Sequence, residues 1–185
     1  MRPPTSRSLL VLLFTGVAAC TATPREAAES GAEDDAAPSA AVTAEVPALE
    51  RFTVEVDGHP MAVFGRVPAD ATAAVLLLHG RTWSSVPDFD LQLPEENLSL
   101  MQAMAERGIA AYALDARGYG QTPRDDSGWL DPNRMAADVT GVLEWLGARH
   151  PDIAAPAVMG WSFGSTVAHL TAQRRPELVS GVALY

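Results

Sequence analysis

Residues 160–164, Gly-Trp-Ser-Phe-Gly, place Ser162 between two glycines directly after an apolar run. Gly-x-Ser-x-Gly at the end of a strand is typical of a sharp turn into a helix that exposes the serine hydroxyl as a nucleophile. The glycines let strand and helix backbones approach closely, and the N–H groups that open the helix favour negative charge near the serine. The same five residues also fit a glycine-containing turn into a helix that has no catalytic role. Ser162 is therefore a candidate nucleophile, and the rest of the chain must decide between these two interpretations.

Two further motifs end apolar runs earlier in the chain. Residues 76–80 are Leu-Leu-Leu-His-Gly, and residues 115–120 are Asp-Ala-Arg-Gly-Tyr-Gly. Taken in this order with 160–164, the three motifs resemble the N-terminal signatures of the α/β-hydrolase superfamily. The resemblance covers about residues 51–185 and favours the catalytic interpretation of the serine motif.

The resemblance implies roles for several of these residues. Ser162 is the nucleophile, and the backbone N–H groups of Arg81 and Phe163 are the donors that hold the oxyanion. Such donors act because they are fixed where charge develops in the transition state. In this family the residues at His79 and Asp115 brace the loops beside the site and are not its base and acid.

The loops after the first two motifs carry residues whose role stays open. The family often has a serine after Arg-Gly-x-Gly, whereas this chain continues with Gln121-Thr122-Pro123, which we interpret as a tolerated variant. Four large apolar residues follow Arg81, and they either line an acyl or alkyl pocket or cover the core: Trp83, Val86, Phe89 and Leu91. The candidate substrate contacts are Trp83, Phe89 and Trp161.

None of the histidines is convincing as the base that a serine nucleophile needs within hydrogen-bond reach. His169 lies about 10 Å from Ser162 along the axis of the predicted helix. His59 falls in a turn, His150 falls at a helix end, and His79 has a bracing role by resemblance. In the family an acid and then a histidine follow later strands. The sequence therefore predicts a hydrolase domain that is incomplete at the C-terminus, with its acid and base outside this chain.

Hydrophobic periodicity predicts the elements that carry these motifs. Alternation over 52–56 and an apolar run over 61–67 predict a hairpin, and a helix is expected from about 98 to Gly108. Further strands are expected over 73–78, 109–114, 157–159 and 178–185, and further helices over 131–150 and 163–175. A hairpin followed by strand–helix alternation predicts a mostly parallel, doubly wound α/β sheet.

Composition excludes several classes of function. Arginine supplies all 13 basic residues, lysine is absent, and the formal net charge is −10. Without lysine the chain cannot build a Walker phosphate loop, a Schiff base or a serine–lysine dyad. The lack of a basic stripe argues against nucleic acid as a partner. The chemistry expected at Ser162 requires neither a cofactor nor a metal.

The N-terminus has the pattern of a secretory signal. Arg2 and Arg7 flank an apolar run that is too short to span a bilayer, and Ala18-Ala19-Cys20 follows it. Val-Ala-Ala-Cys at 17–20 resembles a bacterial lipobox, in which the cysteine is lipidated and becomes the mature N-terminus. An ordinary cleaved signal with an incidental cysteine is the alternative. We expect a lipoprotein signal peptide over 1–19 and lipidation of Cys20.

Residues 20–49 are rich in alanine, proline and acidic residues and have almost no large apolar side chains. Such a segment cannot bury enough surface to offset its ordering entropy, so it is predicted to be a flexible acidic tether. Residues 50–185 then form the partial α/β-hydrolase domain. The expected location is the bacterial cell envelope, anchored through lipid and facing the periplasm or the exterior.

These features favour a serine hydrolase that acts on carboxylic esters through an acyl-enzyme at Ser162, with a small ester-like molecule as substrate. Thioester hydrolysis, acyl transfer and peptide cleavage remain open within the same resemblance. A non-catalytic lipoprotein that uses the hydrolase scaffold for binding is the main alternative. A third interpretation, a structural component of the cell envelope, is supported only by the predicted lipid anchor.

Overall fold

The computed structural model describes residues 46–185. The predicted signal peptide, Cys20 and almost all of the predicted tether lie outside the described residues. Within 46–185, no helix is long and apolar enough to cross a membrane.

Most strands of the described residues join one central sheet. The strands are β1 (Glu50–Val56), β2 (His59–Arg66), β3 (Ala73–Leu78), β4 (Gln92–Leu93), β5 (Glu96–Asn97), β6 (Ile109–Leu114), β7 (Ala157–Gly160) and β8 (Val182–Leu184). The central sheet has the order β1-β2-β6-β3-β7-β8, and β4 and β5 form a separate two-stranded hairpin. β1 and β2 are antiparallel, β2 is antiparallel to β6, and β6, β3, β7 and β8 are parallel. The predicted mostly parallel α/β sheet is therefore confirmed.

Helices connect the parallel strands. They are α1 (Ser85–Phe89), α2 (Leu100–Ala105), α3 (Pro132–Arg149) and α4 (Phe163–Arg174). The α3 boundary follows its sequence signals, since the Asp131 side chain accepts hydrogen bonds from the N–H groups of Asn133 (2.7 Å) and Arg134 (3.0 Å). Proline at the first helical position leaves no unpaired N–H there.

The central strand β3 shows why both faces of the sheet are covered. Leu76 and Leu78 face one buried cluster, whereas Val75 and Leu77 face the other. The first cluster contains the apolar stripe of α3 and part of α4, and the second contains buried residues of α1 and α2. Burying each of these leucines contributes about 1.5–3 kcal/mol. Because both faces are covered, the ends of the strands are the place where loops can form a site.

Two parts of the fold differ from the sequence prediction. The segment after β3 was expected to be a loop, but it contains α1 and the β4–β5 hairpin. Elements of five and two residues are too short to display a hydrophobic period. The last strand was expected from residue 178, but Pro176–Leu178 forms a 3-10 turn and β8 begins only at Val182.

A buried tyrosine at the sheet joins α3 to β6. The hydroxyl of Tyr112 accepts a hydrogen bond from Nε of Arg149 (3.1 Å) and lies 2.7 Å from Nε2 of His150. Since Arg149 can only donate, the Tyr112 hydroxyl accepts from it and keeps its own proton available for an unprotonated Nε2 of His150. Burial, and then the charge of Arg149, lower the pKa of His150 below its ordinary value.

This arrangement predicts a pH-dependent contribution to stability. Because the pKa of His150 is lower in the folded than in the unfolded protein, its contribution is complete above about pH 6.5, the unfolded value, and is lost as the pH falls through the folded value. Urea unfolding of the wild type should therefore show a steeper fall in the free energy of unfolding from pH 7.5 to pH 5 than unfolding of His150→Gln. Substitution of the exposed His169 by glutamine is the matched control and should keep the wild-type slope. Equal slopes for wild type and His150→Gln would contradict the assignment.

Candidate active site

Ser162 lies at a sharp turn between β7 and α4. Its backbone has φ 53° and ψ −120°, and the residue is exposed. A left-handed φ at a residue with a Cβ costs about 1–3 kcal/mol, so the surrounding contacts must hold the turn. The N–H of Trp161 donates to the carbonyl of Leu78 (3.3 Å), and the N–H of Ser165 donates to the carbonyl of Ser162 (3.1 Å). The turn has the geometry that the Gly-x-Ser-x-Gly motif predicts.

Both glycines of this motif lie where a side chain has no room. A Cβ on Gly160 would overlap the carbonyl group of Gly164, and a Cβ on Gly164 would overlap the carbonyl oxygen of Leu78. The first turn of α4 is therefore in direct contact with the ends of β7 and β3. Gly80 is confined in the same way, because its Cβ would come 2.8 Å from the indole ring of Trp161.

The two residues expected to donate oxyanion N–H groups lie on segments that contact each other. Arg81 follows β3 and Phe163 opens α4, and among residues 46–185 neither backbone N–H has a hydrogen-bond acceptor. The guanidinium carbon of Arg81 lies 4.4 Å from the ring centroid of Phe163. A cation–π contact at an exposed position contributes about 0.5–1 kcal/mol. It brings together the two segments that carry the unengaged N–H groups.

A buried carboxylate connects the loops around the site. Oδ1 of Asp115 accepts hydrogen bonds from the N–H and the hydroxyl of Ser85, both at 2.7 Å, and Oδ2 accepts one from the N–H of Gln121 (2.7 Å). The Thr122 hydroxyl donates to the carbonyl of Asp115 (2.7 Å) and accepts from the N–H of Ala62 (2.9 Å). Asp115 is 1% exposed. These bonds support a bracing role for Asp115, and Thr122 supplies a hydroxyl where the family pattern has serine.

His79 is fully engaged by the backbone. The N–H of Ala116 donates to Nε2 of His79 (3.0 Å), and Nδ1 lies 2.7 Å from the carbonyl of Gly80. Because an N–H can only donate, Nε2 is the acceptor and Nδ1 carries the proton. The neutral ring thus connects the loop after β3 to the loop after β6, and it has no free lone pair for a proton from Ser162.

A buried ion pair that the sequence analysis did not predict fixes the loop after β6 on α3. Nε and Nη2 of Arg117 each lie 2.8 Å from a carboxylate oxygen of Asp138, which is 0% exposed. Hydrogen bonding to Asp138 raises the pKa of Arg117 above its ordinary value. The sequence feature that could have predicted this pair is Asp138, a carboxylate in the otherwise apolar stripe of α3, because a buried charge requires a partner.

The three candidate substrate contacts are placed differently from one another. Trp83 is 52% exposed and borders a cavity of about 510 Å³ together with Tyr119. Phe89 is 1% exposed and packs in the core beneath the sheet. The prediction that it contacts substrate is therefore wrong, and Phe89 covers the core instead. Trp161 is half-buried, and its indole N–H donates to Asp88 (2.5 Å), which ties α1 to the turn at Ser162.

All four histidines are among the described residues, and none is placed as a base for Ser162. His79 is engaged as above, and His150 is bonded to Tyr112. His59 begins β2, three strand spacings or about 14 Å from β7, and it contacts the carbonyl of Pro123. His169 is exposed two turns into α4, too far along the helix. Within 46–185 no group of three or more His, Cys, Asp or Glu residues could hold a metal ion.

Comparison with known proteins agrees with this geometry. Residues 69–185 match the family model Hydrolase_4, described as serine aminopeptidase, S33. Protein ABHD14A of Danio rerio is 33% identical to this chain over 86 residues, which are 46% of this chain and 29% of that protein. The chain therefore spans less than a third of the length of this relative.

Solved structures show the same fold. Epoxide hydrolase VrEH1 from Vigna radiata is 25% identical with a TM-score of 0.59, and the match covers 74% of this chain and 38% of that protein. A CIB-like hydrolase from Thermoplasma acidophilum is 22% identical with a TM-score of 0.59, and the match covers 74% of this chain and 62% of that protein. The motifs, the strand order and the family match lead to one conclusion: the chain belongs to the Hydrolase_4 family of α/β-hydrolases.

Proposed function

We propose that this protein is a serine hydrolase that acts on carboxylic esters through an acyl-enzyme. The observation that carries the proposal is the exposed Ser162, held at φ 53° and followed by Phe163, whose N–H, like that of Arg81, has no acceptor among residues 46–185. A strained turn is maintained only where the surroundings stabilise it, and such turns cluster at functional sites.

The reaction would use these groups in two steps. Oγ of Ser162 attacks the acyl carbon, and its proton passes to a base and then to the leaving alcohol. The N–H groups of Arg81 and Phe163 hold the oxyanion that forms on the acyl oxygen. Water then attacks the acyl-enzyme, releases the acid and restores the serine. The base and its carboxylate are proposed to come from a segment other than these 185 residues, because each histidine here is engaged or distant.

A second candidate function is binding without catalysis on the same scaffold. The observation that favours it is the absence, among the described residues, of a histidine in reach of Ser162. The two candidates differ in one property, since only the hydrolase requires the Ser162 hydroxyl for turnover.

Whether turnover requires the hydroxyl of Ser162 is tested with the product of the complete gene. Ser162→Ala should lower kcat/KM for p-nitrophenyl butyrate by at least about a thousandfold, because removing the nucleophile leaves only the residual effect of binding and oxyanion donors. Ser180→Ala, which makes the same change at an exposed serine before β8, should keep the wild-type rate. Wild-type rates in Ser162→Ala would reject the serine mechanism, and no measurable turnover in the wild type would favour the binding scaffold.

The 185-residue chain tests the need for an external base. We expect it to hydrolyse the same ester no faster than its own Ser162→Ala variant, apart from a trace rate from the oxyanion donors. A robust rate that Ser162→Ala abolishes would show that a base within this chain reaches the serine. His79→Ala would then be the first variant to measure, because His79 directly follows β3, the strand paired with β7.

We also propose that Cys20 is lipidated and anchors the protein to the membrane of a bacterial envelope, facing the periplasm or the exterior. The support is the pattern at residues 17–20, a small-residue sequence that ends in the single cysteine of the chain. Two or more acyl chains would hold the protein stably, since each buried methylene adds about 0.8 kcal/mol. In a bacterial host, palmitate should label the wild type and not Cys20→Ser. Equal labelling of both would reject the anchor.

A further inference from the structure

A cavity lined by arginines lies beside the candidate active site. It has a volume of about 190 Å³ and is bordered by Arg81 from the loop after β3 and by a group of residues from the loop after β6. The group from the loop after β6 comprises Arg117, Tyr119, Arg124, Asp125, Gly128, Trp129 and Leu130. Because Arg81 stacks on Phe163, next to Ser162, the cavity opens at the nucleophile end of the sheet.

Two of these arginines are held by packing and not by a carboxylate. The guanidinium of Arg81 stacks on the ring of Phe163 at 4.4 Å. The Cγ of Arg124 lies over Gly118, where an added Cβ would come within 2.8 Å of it. Among residues 46–185, neither guanidinium lies within ion-pair distance of an acidic side chain. In a chain with a formal net charge of −10, two such cations at one cavity indicate a place for an anion.

The nearby negative charges are engaged by the third arginine. Asp138 binds Arg117 through both oxygens, and Asp125 lies 3.5 Å from Nη1 of the same guanidinium. Asp125 also accepts hydrogen bonds from Ser127, which lower the pKa of its carboxyl group, so it stays ionised near neutral pH. The single charge of Arg117 balances only one of these two carboxylates, so the three arginines and the two aspartates together leave a net charge of about +1, which Arg81 and Arg124 present at the cavity.

Exposed tryptophans lie on both sides of these cations. Trp129 is 69% exposed and borders the arginine cavity, whereas Trp83 is 52% exposed and borders the neighbouring 510 Å³ cavity. Tyr119 and Arg124 line both cavities, which are therefore adjacent. Large exposed indoles provide apolar contact area next to a charged anchor, a combination suited to a small molecule with an apolar body and one charge.

We propose that the arginine cavity binds a carboxylate of the substrate, so that the enzyme prefers esters that carry a negative charge over neutral esters of the same size. A guanidinium matches the planar carboxylate through two parallel N–H···O bonds, and two such groups define its position. The proposal rests on the proposed hydrolase function for its kinetic consequence, but the binding site itself does not depend on turnover.

Binding is tested first, in the 185-residue chain and without catalysis. Phenylacetate, followed through tryptophan fluorescence, should bind with a Kd at least tenfold lower than that of neutral 2-phenylethanol. Arg124→Gln should remove most of this difference, and Arg107→Gln, which makes the same change at an exposed arginine after α2, should not. Equal affinities for the two ligands, or an unchanged difference in Arg124→Gln, would overturn the proposal. Preference for phenyl phosphate with no binding of phenylacetate would also overturn it.

Turnover is tested in the product of the complete gene. The ratio of kcat/KM for mono-p-nitrophenyl glutarate to that for p-nitrophenyl valerate should exceed ten in the wild type and fall about tenfold in Arg124→Gln. An unchanged ratio, together with loss of both activities in Ser162→Ala, would reject the carboxylate site and leave the hydrolase function intact. If Ser162→Ala hydrolyses both esters like the wild type, the hydrolase function fails, and the binding comparison alone decides the site.

Discussion

The close approach of α4 to the sheet is the constraint on which the candidate site depends. A Cβ at Gly164 would overlap the carbonyl oxygen of Leu78, so the helix can begin where it does only because that position has no side chain. This approach forces Ser162 into a left-handed turn and leaves the N–H of Phe163 at the positive end of the helix. The position of Ser162, the candidate nucleophile, and the electrostatics around it thus follow from the same steric condition. The strained serine and the N–H of Phe163, a candidate oxyanion donor, are consequences of one backbone contact.

The loops around this turn are held by buried polar groups that bond mostly to backbone atoms. Asp115 binds the N–H groups of Ser85 and Gln121, and His79 connects the carbonyl of Gly80 to the N–H of Ala116. A buried polar group without such partners costs about 1–3 kcal/mol, so each bond fixes a loop as well as satisfying an atom. Rigid loops suit a site that must hold donors in place before the reaction begins.

Much of the fold could be predicted from the sequence because local signals and the hydrophobic period agreed. Asp131 and Pro132 mark the start of α3, and the run Ala73–Leu78 matches β3 at both ends. The prediction was weaker where the answer depends on distant contacts. Phe89 lies one turn beyond a short helix start, and only the packing of α1 under the sheet shows that it belongs to the core. Arg117 and Asp138 are 21 positions apart, and no regular spacing in the sequence predicts that these two residues pair.

The parts of the candidate machinery differ in how strongly the chain determines them. The serine turn and the oxyanion donors are made from backbone geometry, which glycine spacing and strand order specify within residues 46–185. A general base is a side chain, and it can reach Ser162 from any segment that the fold brings near the ends of β3 and β7. His79 and His150 are at least partly buried, and both already have hydrogen-bond partners. If His79 acted as the base, the contacts that hold the loops would break. If His150 did so, the contact between α3 and β6 would break. The scaffold therefore determines the exposed position of Ser162, whereas none of the histidines within residues 46–185 is placed to act as a base for it.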